Sequence, residues 1–236
     1  GEALLVRDPR GDLRVMKAVS LDDKGQQARE EAANEVAVFS SLRHPYVVRF
    51  RESFVDGGTL AIIMDFAEGG DLHRRVRRAR EAGSSFSERR VLEWFTQATL
   101  GVKYLHGLSL IHRDLKSENF LLTKEDNLLV GDFGLTRPLP PDSSELRDRR
   151  AVGTPYYLAP EIFAEGGLYS FPSDIWALGC VLFEMAALHV PFQAQTLAGL
   201  SEKIVHGPLP AMPSAYSCAV GKLISELLCR QRGRRP

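Results

Sequence analysis

Apolar and polar positions in the first quarter of the chain alternate in short runs, a pattern typical of β-strands. Two runs, ALLV and LRVMKAV, stand on either side of a turn-like segment at 8–12, and two more, VVRFRESFV and TLAIIMDF, flank the turn residues 56–58. Between these pairs, residues 26–42 are rich in Ala and Glu, carry apolar residues at helical spacing and stop before Pro45. This part of the chain is therefore predicted to form strands and a hairpin around one main helix.

Helical spacing dominates after the Gly-Gly pair that ends at Gly70. Ser87 is a good N-cap for one of these helices. Its apolar residues recur at intervals of three and four positions: Val91, Phe95, Ala98, Val102 and Leu105. A loop rich in proline and charge at 137–150 precedes further helix. The pattern predicts an α+β fold, with a β-rich part at 1–66 and a mainly helical part at 67–236.

The longest apolar stretch, 175–192, is nearly long enough to cross a bilayer, which takes roughly 20 mostly apolar residues. Glu184 and His189 interrupt this stretch, and Asp174 and Pro191 bound it. A helix buried in a protein core fits this composition better than a membrane helix, so no membrane span is predicted.

Composition narrows the possible partners. The 236 residues carry 30 basic and 30 acidic side chains, so the formal net charge is zero and no global field favours nucleic acid or an anionic membrane. Cys180, Cys218 and Cys229 are odd in number, and their spacing suits neither a zinc site nor a disulfide framework. Free thiols in a reducing compartment, the cytoplasm, are the expected state.

The sharpest chemical signal is the motif HRDLKSEN, which is followed thirteen residues after its Asn by the triplet DFG. These residue types suit phosphoryl transfer, whose loose and highly charged transition state needs positioning and neutralisation more than covalent chemistry. Asp132 and Asn119 offer the hard oxygen ligands that magnesium requires. Asp114 can meet an incoming hydroxyl as a base, and Lys116 can reach the transferring phosphate as a point charge.

In this combination the chain resembles the eukaryotic protein kinase family, and the resemblance runs over all of 1–236. It implies a bilobal protein-kinase fold with ATP and Mg²⁺ as cofactors. Lys17 occupies the position of the family's phosphate-gripping lysine, and Glu35 that of its helix partner. Taken alone, such a pair could equally be a solvated surface pair worth ~0–1 kcal/mol. The downstream motifs in register favour the functional interpretation.

The resemblance also implies the contacts to the nucleotide. Met64 resembles the gatekeeper before a hinge at 65–67, whose backbone at Asp65 and Ala67 would hydrogen-bond adenine. Asp71 stands where family members often contact the ribose. The residues expected around the purine, together with the last glycine of the glycine-rich loop, are Ala3, Val15, Leu121 and Gly1.

The activation segment of the family would run from the DFG triplet to the segment 153–161. Its expected functional residues include Asp132, Phe133, Gly134, Thr154 and Glu161. By resemblance, Glu161 should pair with Arg235, and Asp174 should anchor the catalytic loop. Four residues match the stacked hydrophobic spine of active kinases: Phe39, Phe50, His112 and Phe133.

Two features favour serine and threonine over tyrosine as acceptors: the position of Lys116, and the sequence type of the segment 153–157. Within that branch, SSLRHPYVVRF, IIMDFAEGGDL and VGTPYYLAPE look most similar to NIMA-related kinases. The resemblance implies a serine/threonine-protein kinase that acts on protein substrates. Cytoskeletal association is implied by family resemblance only.

Two other classes of function compete with this interpretation. A pseudokinase, which would serve as an ATP- or partner-binding scaffold, would be marked by loss of Lys17, Asp114, Asn119 or Asp132, and all four are present. A small-molecule phosphotransferase of similar fold is disfavoured by the segment 153–161. The arginine cluster at 74–80 is interpreted as a solvated helix face, because it lacks the interleaved aromatic residues of a nucleic-acid site. The oligomeric state is not predicted.

The chain departs from the family at its ends and in the middle of the activation segment. Gly1 alone represents the glycine-rich loop and the last helix is missing, so a domain trimmed at both ends is expected. Arg150 stands where NIMA-related kinases usually carry a phosphorylatable Thr.

Two routes to an ordered activation segment therefore stay open. In the first, a phosphate on Ser143 or Ser144 binds the nearby arginines. In the second, carboxylates such as Glu145 and Asp148 pair with those arginines and need no modification. The arginines in question are Arg113, Arg147, Arg149 and Arg150.

Overall fold

An antiparallel sheet of four strands and one helix occupies the first part of the chain. The structure, a computed structural model, describes residues 2–21, 25–140, 142–148, 152–164 and 166–236. The sheet has the strand order β1-β2-β4-β3. Its elements are β1 (Glu2–Arg7), β2 (Leu13–Ser20), α1 (Gln26–Ser41), β3 (Phe50–Asp56) and β4 (Thr59–Asp65). The strands, the hairpin and the helix predicted from the apolar pattern are thus confirmed.

The β3–β4 hairpin turns through two glycines. Asp56 pairs with Thr59, so Gly57 and Gly58 alone form the loop, and their φ angles are 48° and 73°. Positive φ at both central positions belongs to the turn whose twist matches paired strands, and glycine adopts it without a steric penalty. The turn fixes the register of β4, which pairs in turn with β2 and so places Lys17 opposite Ile62 in the middle of the sheet.

The second part of the chain is mainly helical. Its first elements are β5 (Gly70–Asp71), α2 (Leu72–Glu81), α3 (Glu88–Gly107), β6 (Leu110–Ile111), β7 (Phe120–Leu122), β8 (Leu128–Val130) and β9 (Arg137–Pro138). The remaining elements are β10 (Glu145–Arg147), α4 (Pro160–Ala164), β11 (Leu168–Ser170), α5 (Phe171–Ala187), α6 (Leu197–Val205) and α7 (Cys218–Leu227). Ser87 accepts a hydrogen bond from the Arg90 amide, which confirms the predicted N-cap of α3.

Helix α5 lies at the centre of the helical part. It begins with a capping box between Ser170 and Ser173, and nearly every residue from Trp176 to Ala186 is buried. This confirms the prediction that the apolar stretch is a core helix. Within the described residues, no helix is both long and apolar enough to span a bilayer.

Aromatic stacking joins the sheet to the helical part. The Phe39 ring centroid lies 5.5 Å from that of Phe50 and 4.9 Å from that of Phe133. The Phe133 ring in turn lies 5.6 Å from the His112 ring. The four residues predicted to form the hydrophobic spine therefore lie in one continuous stack, which confirms that prediction. Because it runs from α1 to the catalytic loop, it fixes the distance between the two halves of the site.

Candidate active site

Lys17 forms the centre of a partly buried ion cluster at the junction of the two parts. Its Nζ lies 2.7 Å from Oε1 of Glu35 on α1 and 3.0 Å from Oδ1 of Asp132. Burial alone would lower the pKa of Lys17, but the carboxylates of Asp132 and Glu35 outweigh it and raise that pKa. Burial likewise opposes ionisation of Asp132, yet Lys17 holds the pKa of Asp132 below its ordinary value. Lys17 and Asp132 are therefore both charged at neutral pH.

A cavity of about 220 Å³ opens beside this cluster. Ala3 and Val15 of the sheet line one side, Leu121 of β7 the other, and Met64 lines it as well. Lys17, Glu35, Asn119, Gly131, Asp132 and Phe133 are further lining residues. An apolar slot that ends in charged groups suits a flat ring joined to a phosphate chain. The structure thus brings together most of the residues predicted from the sequence.

The hinge residue Asp65 is held from its outer side. Its carboxylate makes two contacts with the Arg51 guanidinium, at 2.5 and 2.9 Å, and its amide donates to the Arg49 carbonyl at 3.0 Å. Ala67 is buried, and its carbonyl accepts from the Gly70 amide. The side chain of Asp65 is thus bound to Arg51 of the sheet. The backbone of the hinge remains the predicted hydrogen-bonding partner of adenine.

Four predicted nucleotide contacts lie outside the lining of this cavity or outside the described part of the chain: Asp65, Ala67, Asp71 and Gly1. Asp71 is the N-cap of α2: its Oδ1 accepts from the Arg74 amide at 2.7 Å, and its Oδ2 lies 3.1 Å from the Arg74 Nε. It does not belong to the residues that line the cavity. Gly1 is not among the described residues.

The catalytic loop takes its shape from α5. Oδ2 of Asp174 accepts from the His112 amide at 2.9 Å, and Oδ1 accepts from the Arg113 amide at 3.1 Å. His106 contacts the same carboxylate at 2.9 Å. Arg113 has a φ of 69°, in the left-handed region, so the loop needs external hydrogen bonds to hold it. The predicted anchoring role of Asp174 is confirmed by these contacts, whereas the His106 partner was not predicted.

Asp114 follows directly and is surrounded by donors. Its Oδ1 accepts from the amide of Thr154 at 3.0 Å and from the Thr154 hydroxyl at 3.1 Å. Its Oδ2 accepts from the Asn119 amide group at 3.1 Å and lies 2.8 Å from the Lys116 Nζ. Lys116 also donates to the Thr154 hydroxyl at 2.9 Å. The far end of the activation segment therefore closes onto the Asp114 carboxylate.

The oxygen atoms of Asn119 and Asp132 are of the type that Mg²⁺ prefers as ligands. Asn119 donates its amide NH₂ to the Asp114 carbonyl at 2.7 Å as well, which leaves the side-chain oxygen of Asn119 as the acceptor for a cation. Asn119 and Asp132 both line the cavity. Among the described residues there is no group of three or more His, Cys, Asp or Glu that could hold a metal. Magnesium is usually bound by one or two carboxylates together with water and substrate phosphates.

The end of the activation segment is fixed by a buried ion pair. The Arg235 guanidinium donates to both carboxylate oxygens of Glu161 at 2.7 Å, which confirms the predicted pair. Gly153, which precedes Thr154, has a φ of 108°, and a Cβ there would lie 2.7 Å from the Arg113 carbonyl. Only glycine fits this close approach between the segment and the catalytic loop.

The prediction that carboxylates of the activation segment pair with nearby arginines is partly right. Asp148 Oδ2 lies 3.1 Å from Nη1 of Arg113, as predicted. Glu145, however, contacts Arg232 at 2.5 Å, so its predicted pairing with the arginine cluster of the segment is wrong. The pairing of β10 with β11 explains the difference. In a strand, successive side chains point to opposite faces, so residues three apart, such as Glu145 and Asp148, face opposite sides.

The predicted phosphorylation sites are less constrained. The Ser143 hydroxyl donates to the Glu145 carbonyl at 2.9 Å and accepts from its amide at 3.1 Å, which forms a local turn. Ser144 is exposed. Arg149 and Arg150 lie outside the described residues.

A polar network below the site was missed from the sequence. The Tyr157 hydroxyl donates to Oε2 of Glu184 at 2.8 Å, and the Ser117 hydroxyl donates to Oε1 at 2.9 Å. Burial raises the pKa of Glu184 and also that of Tyr157. In the sequence, Glu184 interrupts an apolar stretch. A charged residue inside a buried helix is itself a signal that polar partners lie opposite.

Comparisons with known proteins agree with this geometry. The protein kinase domain family matches residues 1–236. The chain is 40% identical to mouse serine/threonine-protein kinase Nek1 and 39% identical to mouse serine/threonine-protein kinase Nek4, in each case over 100% of the chain. It is 40% identical to serine/threonine-protein kinase Nek6 from Oryza sativa subsp. japonica over 94% of the chain.

The chain spans only part of these relatives: 19% of Nek1, 29% of Nek4 and 40% of the rice Nek6. The similarity therefore concerns one domain of each relative. With a family match over its full length and the family's motifs gathered at one cavity, the chain belongs to the protein kinase domain family, and within that family it is similar to the Nek serine/threonine kinases.

Proposed function

We propose that this protein is a serine/threonine-protein kinase that transfers the γ-phosphoryl group of ATP to serine and threonine hydroxyls of other proteins. One observation carries the proposal. A single cavity is lined by Lys17, Asp132 and Asn119, and Asn119 hydrogen-bonds the carboxylate of Asp114 beside it. A base and a phosphate-binding cluster so placed are what in-line transfer to a hydroxyl needs.

Each side chain has a distinct task in this reaction. Asp114 accepts the proton of the incoming hydroxyl, and its carboxylate is oriented by Thr154 and Asn119. Lys116, 2.8 Å from that carboxylate, stabilises charge on the transferring group. Lys17 binds the phosphates of ATP, and Glu35 holds it in place.

Asp132 and Asn119 would hold Mg²⁺, which neutralises phosphate charge when it is bound. Lys17 and Asp132 lie 3.0 Å apart. Mg-ATP would therefore bind to a charged cluster that already exists, and the contacts within that cluster would change on binding. The transition state is highly charged, and preorganised groups stabilise it because they need not reorient during the reaction.

The nucleotide site follows the same proposal. Adenine would lie between the pair Ala3 and Val15 and the side chain of Leu121, with its edge toward the hinge backbone at Asp65 and Ala67. The lobe boundary after residue 66 falls within this hinge. Asp71 would have to release part of its contact with Arg74 to reach a ribose, because it now caps α2. Gly1 stays a proposed phosphate contact.

Protein substrates with Ser or Thr acceptors are the proposed partners, as expected for a non-specific serine/threonine protein kinase. Nucleic acid is not a proposed partner, because three arginines of α2 are paired locally, namely Arg74 with Asp71, Arg75 with Asp126 and Arg77 with Glu81. We also propose a cytoplasmic location, which the free Cys180, Cys218 and Cys229 and the supply of ATP support.

The pseudokinase alternative is not favoured. The four residues whose loss would mark it are present, and they are gathered at one cavity and the adjoining loop. A small-molecule kinase is not favoured either, since Thr154, in the protein-kinase-like segment 153–161, hydrogen-bonds Asp114.

The test is a peptide-library assay with labelled ATP and the full-length protein, with Asp114→Asn as the matched inactive control. Phosphoserine and phosphothreonine are expected, with at least a roughly 10²-fold loss of turnover in the variant. Leu135, which follows the DFG triplet, resembles the residue of serine-preferring family members. The proposal would be contradicted by a product dominated by phosphotyrosine. It would also be contradicted if Asp114→Asn had the same turnover as the wild type.

A further inference from the structure

Arg113 joins three parts of the active site. It directly precedes Asp114, and its side chain is 2% exposed. Its Nε donates to the Leu135 carbonyl at 2.7 Å, just after the DFG triplet. Its Nη1 lies 3.1 Å from the Asp148 carboxylate, and its guanidinium lies 5.4 Å from the Tyr169 ring centroid. One side chain thus links the catalytic loop, the start of the activation segment and the middle of that segment.

The buried guanidinium needs a counter-charge. Burial lowers the pKa of Arg113, and the Asp148 carboxylate opposes this effect, whereas the neighbouring charge of Arg137 adds to it. An arginine does not lose its proton in a protein, so the cation must be paired or the segment must open to water. Asp148, with a side chain only 17% exposed, supplies a carboxylate at this position.

Unmodified residues hold Asp148 in place. Strand β10 pairs with β11 from Glu145 opposite Ser170 to Arg147 opposite Leu168. The Asp148 amide then donates to the Gly167 carbonyl at 3.0 Å. The carboxylate is therefore presented by a strand end whose backbone is already hydrogen-bonded.

The position of Arg113 matters for the base. Its backbone has a φ of 69° and is held by Asp174, so Asp114 follows a constrained residue. Tyr169, which packs under the guanidinium, donates its hydroxyl to the Val152 carbonyl at 2.7 Å, two residues before Thr154. A shift of Arg113 would therefore reach Asp114 both through the chain and through the activation segment.

We propose that Asp148 is a positioning residue whose carboxylate gives Arg113 its counter-charge and holds the activation segment against the catalytic loop without phosphorylation. The proposal rests on the proposed kinase function. In this role the Asp148 carboxylate takes the place of a phosphorylated residue. The activation segment carries Arg150 where NIMA-related kinases usually have a phosphorylatable Thr. Ser143 and Ser144 then have no required role in ordering this site.

The first experiment uses full-length protein treated with phosphatase, which is then removed, and measures steady-state peptide phosphorylation. Dephosphorylated wild type is expected to keep most of its kcat. Asp148→Asn should lower kcat by about 10- to 100-fold with little change in the KM for ATP, because the base is misplaced while the nucleotide site is intact. Asp148→Glu should restore most of the rate. Asp142→Asn, which alters an exposed carboxylate of the same segment, is the matched control and should behave as wild type.

The second experiment is a double-mutant cycle with Arg113→Ala. If Asp148 acts through Arg113, the double variant should be no slower than Arg113→Ala alone. Additive losses would overturn the proposal, because they would indicate two independent structural effects. A dephosphorylated wild type that loses its activity and regains it on rephosphorylation would overturn it too, even if Asp148→Asn failed to fold.

These outcomes separate the proposal from the function on which it rests. Wild type that phosphorylates peptides only when it carries phosphate leaves the kinase function standing and removes the role of Asp148. Wild type that binds Mg-ATP but phosphorylates no peptide in either state removes the kinase function itself.

Discussion

The buried pair of Arg235 and Glu161 allows a quantitative prediction. The Arg235 side chain is 0% exposed and that of Glu161 4%. Arg235 donates to both oxygens of Glu161 and also to the carbonyls of Cys229 and Pro172, at 2.7 and 2.8 Å. The Arg235→Met change keeps an unbranched apolar stem but removes the guanidinium and with it all of these donors. It leaves Glu161 with the hydroxyl of Ser173, which donates to it at 3.0 Å.

The expected cost follows from this geometry. Removal of one member of a buried pair leaves the other charge without compensation, which costs about 3–5 kcal/mol of unfolding free energy. For a domain of this size each kcal/mol lowers Tm by roughly 2–4 °C. Arg235→Met should therefore lower Tm by about 6–20 °C.

Thermal unfolding of the purified protein, followed by circular dichroism, measures this shift. Arg234→Met is the matched control, because Arg234 is exposed one position earlier and should change Tm little. The double variant Glu161→Leu/Arg235→Met should be more stable than Arg235→Met, since it leaves no unpaired buried charge. An Arg235→Met protein as stable as the Arg234→Met control would refute the reasoning.

Three further predictions concern charge. Lys17→Met should cut turnover by at least ~10²-fold in the peptide assay, while Lys222→Met, at an exposed site, should not. Asp132→Asn should abolish the Mg²⁺ dependence of ATP affinity in isothermal titration, and binding indifferent to metal in the wild type would contradict the assignment. Burial opposes ionisation of Asp174, but His106 outweighs it and holds the pKa of Asp174 below its ordinary value. That stabilisation is complete above the unfolded pKa and is lost as pH falls through the folded one. Urea unfolding of Asp174→Asn should therefore depend less on pH below about pH 4 than that of the wild type.

Much of the fold could be predicted because local signals agreed with the tertiary structure. The glycines at 57 and 58 sit in the turn that their conformational freedom favours, and Ser87 caps the helix that its position indicates. The apolar stretch of α5 is buried, as its length and its interrupting charge predicted. The ion pair of Glu161 with Arg235, 74 positions apart, was predicted from family resemblance rather than from local pattern.

Two contacts that the sequence does not indicate depend on how distant segments meet in space. No periodicity in 145–147 reveals that this short strand pairs with 168–170, and this pairing turns Glu145 toward Arg232. The closure of Thr154 onto Asp114 spans 40 positions and depends on a glycine φ of 108° at Gly153. Such contacts are set by how elements meet in space, so sequence spacing alone does not indicate them.

The anchoring of the catalytic loop by Asp174 has a consequence for synthesis of the protein. The carboxylate that shapes the His112 backbone lies 62 residues further along the chain. Chains emerge from the ribosome starting at the N-terminus, at about 5–20 residues per second, so the loop leaves several seconds before its anchor does. A nascent chain that already contains Lys17, Asp114 and Asp132 therefore lacks the hydrogen bonds that shape its catalytic loop. The hydrogen bonds that shape this loop can therefore form only after α5 has been synthesised.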